Sequence, residues 1–156
     1  MEIGRLFCLT AALLLTWAFP GWAIDQAGLC RTAVFAEAYP EAIEVCTAAL
    51  PIADAYLHRG VAYLRSDHPA QALADFQAAI AQTASDFRLY YNEGLALSFL
   101  GEAQQALAAF DKALALTAEP TAQAEIWTDR GIALHQGRGC CRNPSEPQRC
   151  KLRSRI

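Results

Sequence analysis

The side chains able to do chemistry are few. The chain of 156 residues holds six cysteines, three histidines (His58, His68, His135) and scattered carboxylates. Cysteine carries the widest range, since a thiol can pair, bind a metal or attack an electrophile. Cys8 sits inside an apolar run, too early to follow a cleavage site, and reads as a small hydrophobe. That leaves Cys30, Cys46, Cys140, Cys141 and Cys150, an odd number, so at least one is unpaired or paired between chains. Cys140, Cys141 and Cys150 with His135 are the only metal-like grouping, but adjacent cysteines followed by an eight-residue gap do not match zinc spacing. No metal or other cofactor is expected. His58 and His135 lack a partner at a spacing that implies activation, which a general base needs within reach. Glu41 and Glu44 share one helical face and serve solubility. With no Gly-rich phosphate loop either, no catalytic residue is assigned, and the chain reads as a binding scaffold rather than an enzyme.

The elements that carry these residues follow from composition and periodicity. The chain is 54% hydrophobic and 19% charged, with a net charge of −3 and 32 alanines. Alanine is the best helix former, so the expectation is an all-α domain. Leu6 to Ile24 contains no charge and follows Arg5; Pro20-Gly21 breaks it, and Gly21-Trp22-Ala23 offers small residues before a cut. Residues 1–23 therefore read as a secretory signal cleaved after Ala23, with an uncleaved membrane anchor as the alternative. Export would place the chain in a periplasmic or extracellular compartment where thiols pair.

The middle of the chain is a repeat. Residues 53–86 align with 87–120 without a gap, and 12 of 34 positions are identical, among them Tyr56/Tyr90, Gly60/Gly94, Ala72/Ala106, Phe76/Phe110 and Ala79/Ala113. Each unit reads as two antiparallel helices, joined at Ser66-Asp67-His68-Pro69 or Leu100-Gly101-Glu102, with Pro69 in the first turn of its helix. Gly60 and Ala72 let helices approach closely, and Phe76 and Phe110 fill the gap between them. One such hairpin cannot bury its apolar face alone, so hairpins stack.

The period and the run of a large residue, Gly, a bulky residue, Ala, an aromatic and Ala (Tyr56, Gly60, Tyr63, Ala72, Phe76, Ala79; then Tyr90, Gly94, Leu97, Ala106, Phe110, Ala113) resemble the tetratricopeptide repeat. The resemblance implies a short α-solenoid of about three helical pairs with the last incomplete. Residues 24–52 form a partial first repeat, with Cys30 at the glycine place and Cys46 at the aromatic place; residues 121–136 form a partial last one, with Trp127, Gly131 and Leu134 matching along a helix from Ala124 to Gln136. In the hairpin register that pairs Gly60 with Phe76, Cys30 faces Cys46. A disulfide is expected there, as exported proteins of this kind often carry, with two buried thiols as the alternative.

The resemblance further implies that first helices line a concave groove. It assigns Asp54, Leu57, His58, Val61 and Leu64 to the groove beside Arg88, Tyr91, Asn92, Leu95 and Ser98, with Arg31 before them and Glu125, Thr128, Asp129 and Ile132 after. Asn92 stands where family members often bond a bound peptide's backbone, while the basic set that clamps a chaperone's C-terminal carboxylate is not reproduced. The expected partner is another protein or a peptide, not a nucleic acid; a membrane enters only if the leader is uncleaved. Self-association through the unpaired last helix is the alternative function. Residues 137–156 carry six basic residues and one acid, whereas 24–136 carry six basic and fourteen acidic. This Cys-rich tail reads as a disordered end, a frameshift or truncation remnant of the missing second helix, with docking on an acidic or phosphate-rich surface as the other reading.

Overall fold

The computed structural model describes residues 25–140, so the leader segment 1–23 and the tail beyond Cys140 lie outside the described residues. The described residues form seven α-helices and no strand: α1 (Gln26–Phe35), α2 (Tyr39–Ala48), α3 (Ala53–Arg65), α4 (Pro69–Gln82), α5 (Phe87–Leu100), α6 (Ala103–Leu116) and α7 (Pro120–Cys140). They make three antiparallel pairs, α1/α2, α3/α4 and α5/α6, followed by α7. Pro69 opens α4 and Pro120 opens α7, where the missing N–H costs nothing, and the Asp86 side chain caps α5 by accepting from Arg88 N at 2.9 Å.

All three hairpin turns close in the same way. Ala38 N, His68 N and Glu102 N each reach back five residues to Ala33 O, Tyr63 O and Leu97 O, and the residue before each reaches back three. This double bond satisfies orphan carbonyls at the helix end and requires a left-handed residue at the turn. Those residues are Glu37 (φ 58°), Asp67 (φ 62°) and Gly101 (φ 81°). Only one is glycine, so the first two turns carry a steric cost of about 1–2 kcal/mol each. Asp67→Gly and Glu37→Gly should each raise the unfolding free energy by about 1 kcal/mol in urea titrations. Gly101 faces open space, so Gly101→Ala should lower stability by a similar amount through φ alone.

The core runs through each pair and on into the first helix of the next. Phe76 is enclosed with Leu57 of α3, Ala72 and Ala79 of α4, and Leu89 and Ala96 of α5. Phe110 is enclosed with Leu97 of α5, Ala106, Ala109 and Ala113 of α6, and Ile126 and Ala133 of α7. Each phenylalanine thus binds its own pair to the first helix of the next, which is what makes a stack of hairpins one body. A polar ladder runs alongside. Arg59 donates to Thr47 Oγ1 on α2 at 3.0 Å and to both oxygens of Asp75 on α4 at 2.8 and 2.7 Å, its guanidinium 5.7 Å from the rings of Tyr56 and Tyr63. At the equivalent place on α7, Arg130 donates to Asp111 on α6 at 2.7 Å.

α7 is longer than its periodicity indicates. It begins at Pro120 rather than Ala124, with Gln123 Nε2 donating to Thr117 O at 2.9 Å, and it continues past Gln136 to Cys140. Gly137 weakens a helix without forbidding it. Here it lets α7 approach α6, since a Cβ at that position would lie 2.9 Å from Ala103 Cβ.

Candidate functional site

The helices form two layers. α1 packs on α3, α3 on α5 and α5 on α7, whereas no pair among α2, α4 and α6 is in comparable contact. Helices that touch in one layer and splay in the other define a curve, and the odd-numbered helices are its inner side. Residues assigned to the groove from sequence therefore lie on the inner layer, but they do not all present themselves there. Leu57 is 4% exposed and belongs to the Phe76 cluster, so it holds the stack and is closed to a partner. Val61 and Leu64 flank that cluster, and Leu95 flanks the Phe110 cluster. Ser98 Oγ is buried without a hydrogen-bond partner among the described residues. Thr128 turns its hydroxyl back to Ala124 O at 2.8 Å, while Glu125 is exposed.

Two polar groups of α5 are held by carboxylates of the chain itself. Arg88 folds onto Asp86, with Nη2–Oδ2 at 2.6 Å and Nε–Oδ1 at 3.0 Å. Burial alone would raise the Asp86 carboxyl, but the side-chain and backbone bonds from Arg88 outweigh it and hold Asp86 below the ordinary value. Asn92 Nδ2 donates to Arg88 O at 2.7 Å, one turn back. Tyr91 packs its ring 6.1 Å from that of Phe110 and donates its hydroxyl to Asp129 Oδ2 at 2.7 Å, tying α5 to α7. Burial, then the bond to Asp129, pushes the Tyr91 phenol far above its ordinary range, so it remains a donor at every physiological pH.

His58 is the most enclosed polar group of the layer, at 8% exposure. Contrary to the expectation that His58 lacks a partner, Asp54, one turn earlier on α3, lies 3.5 Å from its Nε2, the i,i+4 neighbour on the same helix face. That geometry leaves Nε2 without a hydrogen bond among the described residues. Arg31 of α1 and Arg88 of α5 flank the ring with positive charge, and Phe35, 77% exposed, stands with its ring 6.4 Å away. Desolvation dominates; the attraction of Asp54 opposes it, and the two arginines reinforce it, so the His58 pKa is lowered from its ordinary 6.5. The folded state therefore holds His58 neutral, and the unfolded state binds its proton first as pH falls. Stability contributed by this group is complete above about pH 6.5 and declines as pH drops through the lowered value. The fall in Tm between about pH 7.5 and pH 5 should be smaller in His58→Gln than in the parent; an equal fall in both would assign the dependence to other groups.

Residues 87–120 match the tetratricopeptide repeat. No curated protein sequence matches the chain. Among solved structures, the fold is similar to that of the MamA protein, with 25% identity, a TM-score of 0.64, and 73% of this chain and 62% of that chain covered. This chain thus spans less than two thirds of that relative. The first such domain of the human RPAP3 protein superposes with a TM-score of 0.64 at 24% identity, covering 73% of this chain and 93% of that one. The first such domain of Spaghetti (RPAP3), solved with the HSP90 peptide SRMEEVD bound, gives 0.62 at 24% identity over 70% and 90% of the two chains.

Proposed function

We infer that this tetratricopeptide-repeat protein uses its inner layer to hold a segment of another polypeptide, as an extended strand or a short helix, and that it acts by recognition rather than by catalysis. The observation that carries the reading is Phe35. A phenylalanine 77% exposed on α1, with its ring beside the enclosed His58 of α3, is an apolar anchor set at the mouth of a rigid layer. Arg88 paired to Asp86, and Asp129 paired to Tyr91, fix the walls on either side, so little ordering is left to be done on binding. The Asn92 amide supplies polar contact to a peptide backbone. That a similar fold was solved with a peptide bound supports this class of partner. The absence of the clamp of basic residues argues against a chaperone tail as the segment.

The reading includes export. The uncharged run from Leu6 to Ile24 and the small residues before Ile24 support a cleaved leader, and Cys30 facing Cys46 suits an oxidising compartment. A photo-crosslinking residue at Phe35 or at Asn92, compared with one at Gln71 on the outer layer, tests the binding surface in cells. Adducts with a discrete polypeptide are expected from the first two positions and not from the third. Equal adducts from all three would remove the inner layer as the site.

A further inference from the structure

The solenoid solves one packing problem twice and leaves it open a third time. A Cβ at Gly60 would lie 2.5 Å from the Phe76 ring, and one at Gly94 would lie 2.6 Å from the Phe110 ring, so each glycine is a seat occupied by an aromatic from the following helix. Both rings are fully buried, between Ala72 and Ala79 and between Ala106 and Ala113. Gly131 holds the same position on α7, and a Cβ there would meet nothing within 4 Å among the described residues. Trp127, in the place of Tyr56 and Tyr90, is 56% exposed.

We propose that this face of α7 is a docking seat for a helix of a partner protein bearing the pattern Ala-x-x-Asp/Glu-Phe-x-x-Ala, which completes a fourth helical pair. The surface continues the interface that the chain itself makes between α3 and α4 and between α5 and α6. The acidic position follows from charge. Arg130 stands where Arg59 stands, and Arg59 grips both the preceding outer helix and Asp75, the residue just before Phe76. Arg130 makes the first of these contacts, to Asp111, with its guanidinium 5.3 Å over the Trp127 ring; an acid before the incoming aromatic supplies the second. Phe76 and Phe110 are already seated, which argues against a second copy, and residues 141–156 contain neither an aromatic residue nor an alanine.

The test uses the purified full chain and a fluorescent synthetic peptide with the α4 sequence PAQALADFQAAIAQ, read by anisotropy, with hydrogen exchange to locate it. Saturable binding is expected, with new protection on α7, and with affinity falling about tenfold or more when the peptide phenylalanine becomes alanine or when Gly131→Leu fills the seat. Leucine is a strong helix former in open space there, so that variant keeps its fold. Absence of binding overturns the proposal. So does protection on α3 and α5 without α7, which would put the peptide in the inner layer. A peptide-free dimer by sedimentation that Gly131→Leu dissociates would make a second copy the occupant and overturn it equally.

Discussion

Phe76→Ala lowers the unfolding free energy by about 3–5 kcal/mol, and Phe110→Ala by a similar amount, in urea titrations followed by far-UV circular dichroism. The rings are fully buried, and each touches three helices, so truncation opens a cavity that neighbours cannot close without separating two pairs. Damage should spread to the adjacent pair, because Leu89 and Ala96 of α5 lean on Phe76. The glycines provide the converse. Gly60→Ala and Gly94→Ala push a methyl into a ring that has nowhere to retreat, a loss of about 1–3 kcal/mol, partly offset by alanine's helix preference of up to about 1 kcal/mol. Gly131→Ala meets no such ring and should stabilise by up to about 1 kcal/mol. If Gly131→Ala costs as much as Gly60→Ala, the seat account of these glycines is wrong.

What could be read from the sequence depended on whether a residue type has one use or several. Glycine paired with phenylalanine sixteen residues on has one, and the hairpin register placed Gly60 against Phe76 and Cys30 against Cys46 as the structure does. The joints at Ser66–Pro69 and at Gly101 were legible because proline and glycine punctuate helices. The left-handed turns at Glu37 and Asp67 were not, because nothing in an acidic residue announces a positive φ; only equivalence to Gly101 does. Leucine at position 57 suits both a groove and a core, and in the structure it packs into the Phe76 cluster. Tyr91 with Asp129 and Arg59 with Asp75 join separate helices through side chains whose partners depend on how helices lean. α7 runs past Gln136, where helical periodicity ends in the sequence, because the missing side chain of Gly137 makes room for Ala103.

Reducing the chain should cost about 3 kcal/mol, most of it in α1 and α2, because the first pair replaces the glycine-phenylalanine seat with a covalent bond. Cys30 stands at the glycine place and Cys46 at the aromatic place; the structure joins them across 16 residues with Cα atoms 4.7 Å apart. No phenylalanine is buried in this pair, where the enclosed side chains are Cys30, Ala42 and Cys46, with Ala49 just beyond α2. Each helix is ten residues long, below the roughly 12–15 at which an isolated helix becomes even marginal in water. A hairpin so short, with so little apolar area between its helices, relies on the crosslink to keep its halves in register. The double variant Cys30→Ala/Cys46→Ala should therefore lose hydrogen-exchange protection across α1 and α2 while α5 to α7 keep theirs, since a solenoid couples nearest neighbours most strongly. Phe35 would lose its fixed place beside His58, so crosslinking from position 35 should weaken along with the fold of the pair. Unchanged protection in α1 and α2 after removal of both sulfurs would mean that packing on α3 alone holds the first pair, and would sink the covalent substitute as its organising element.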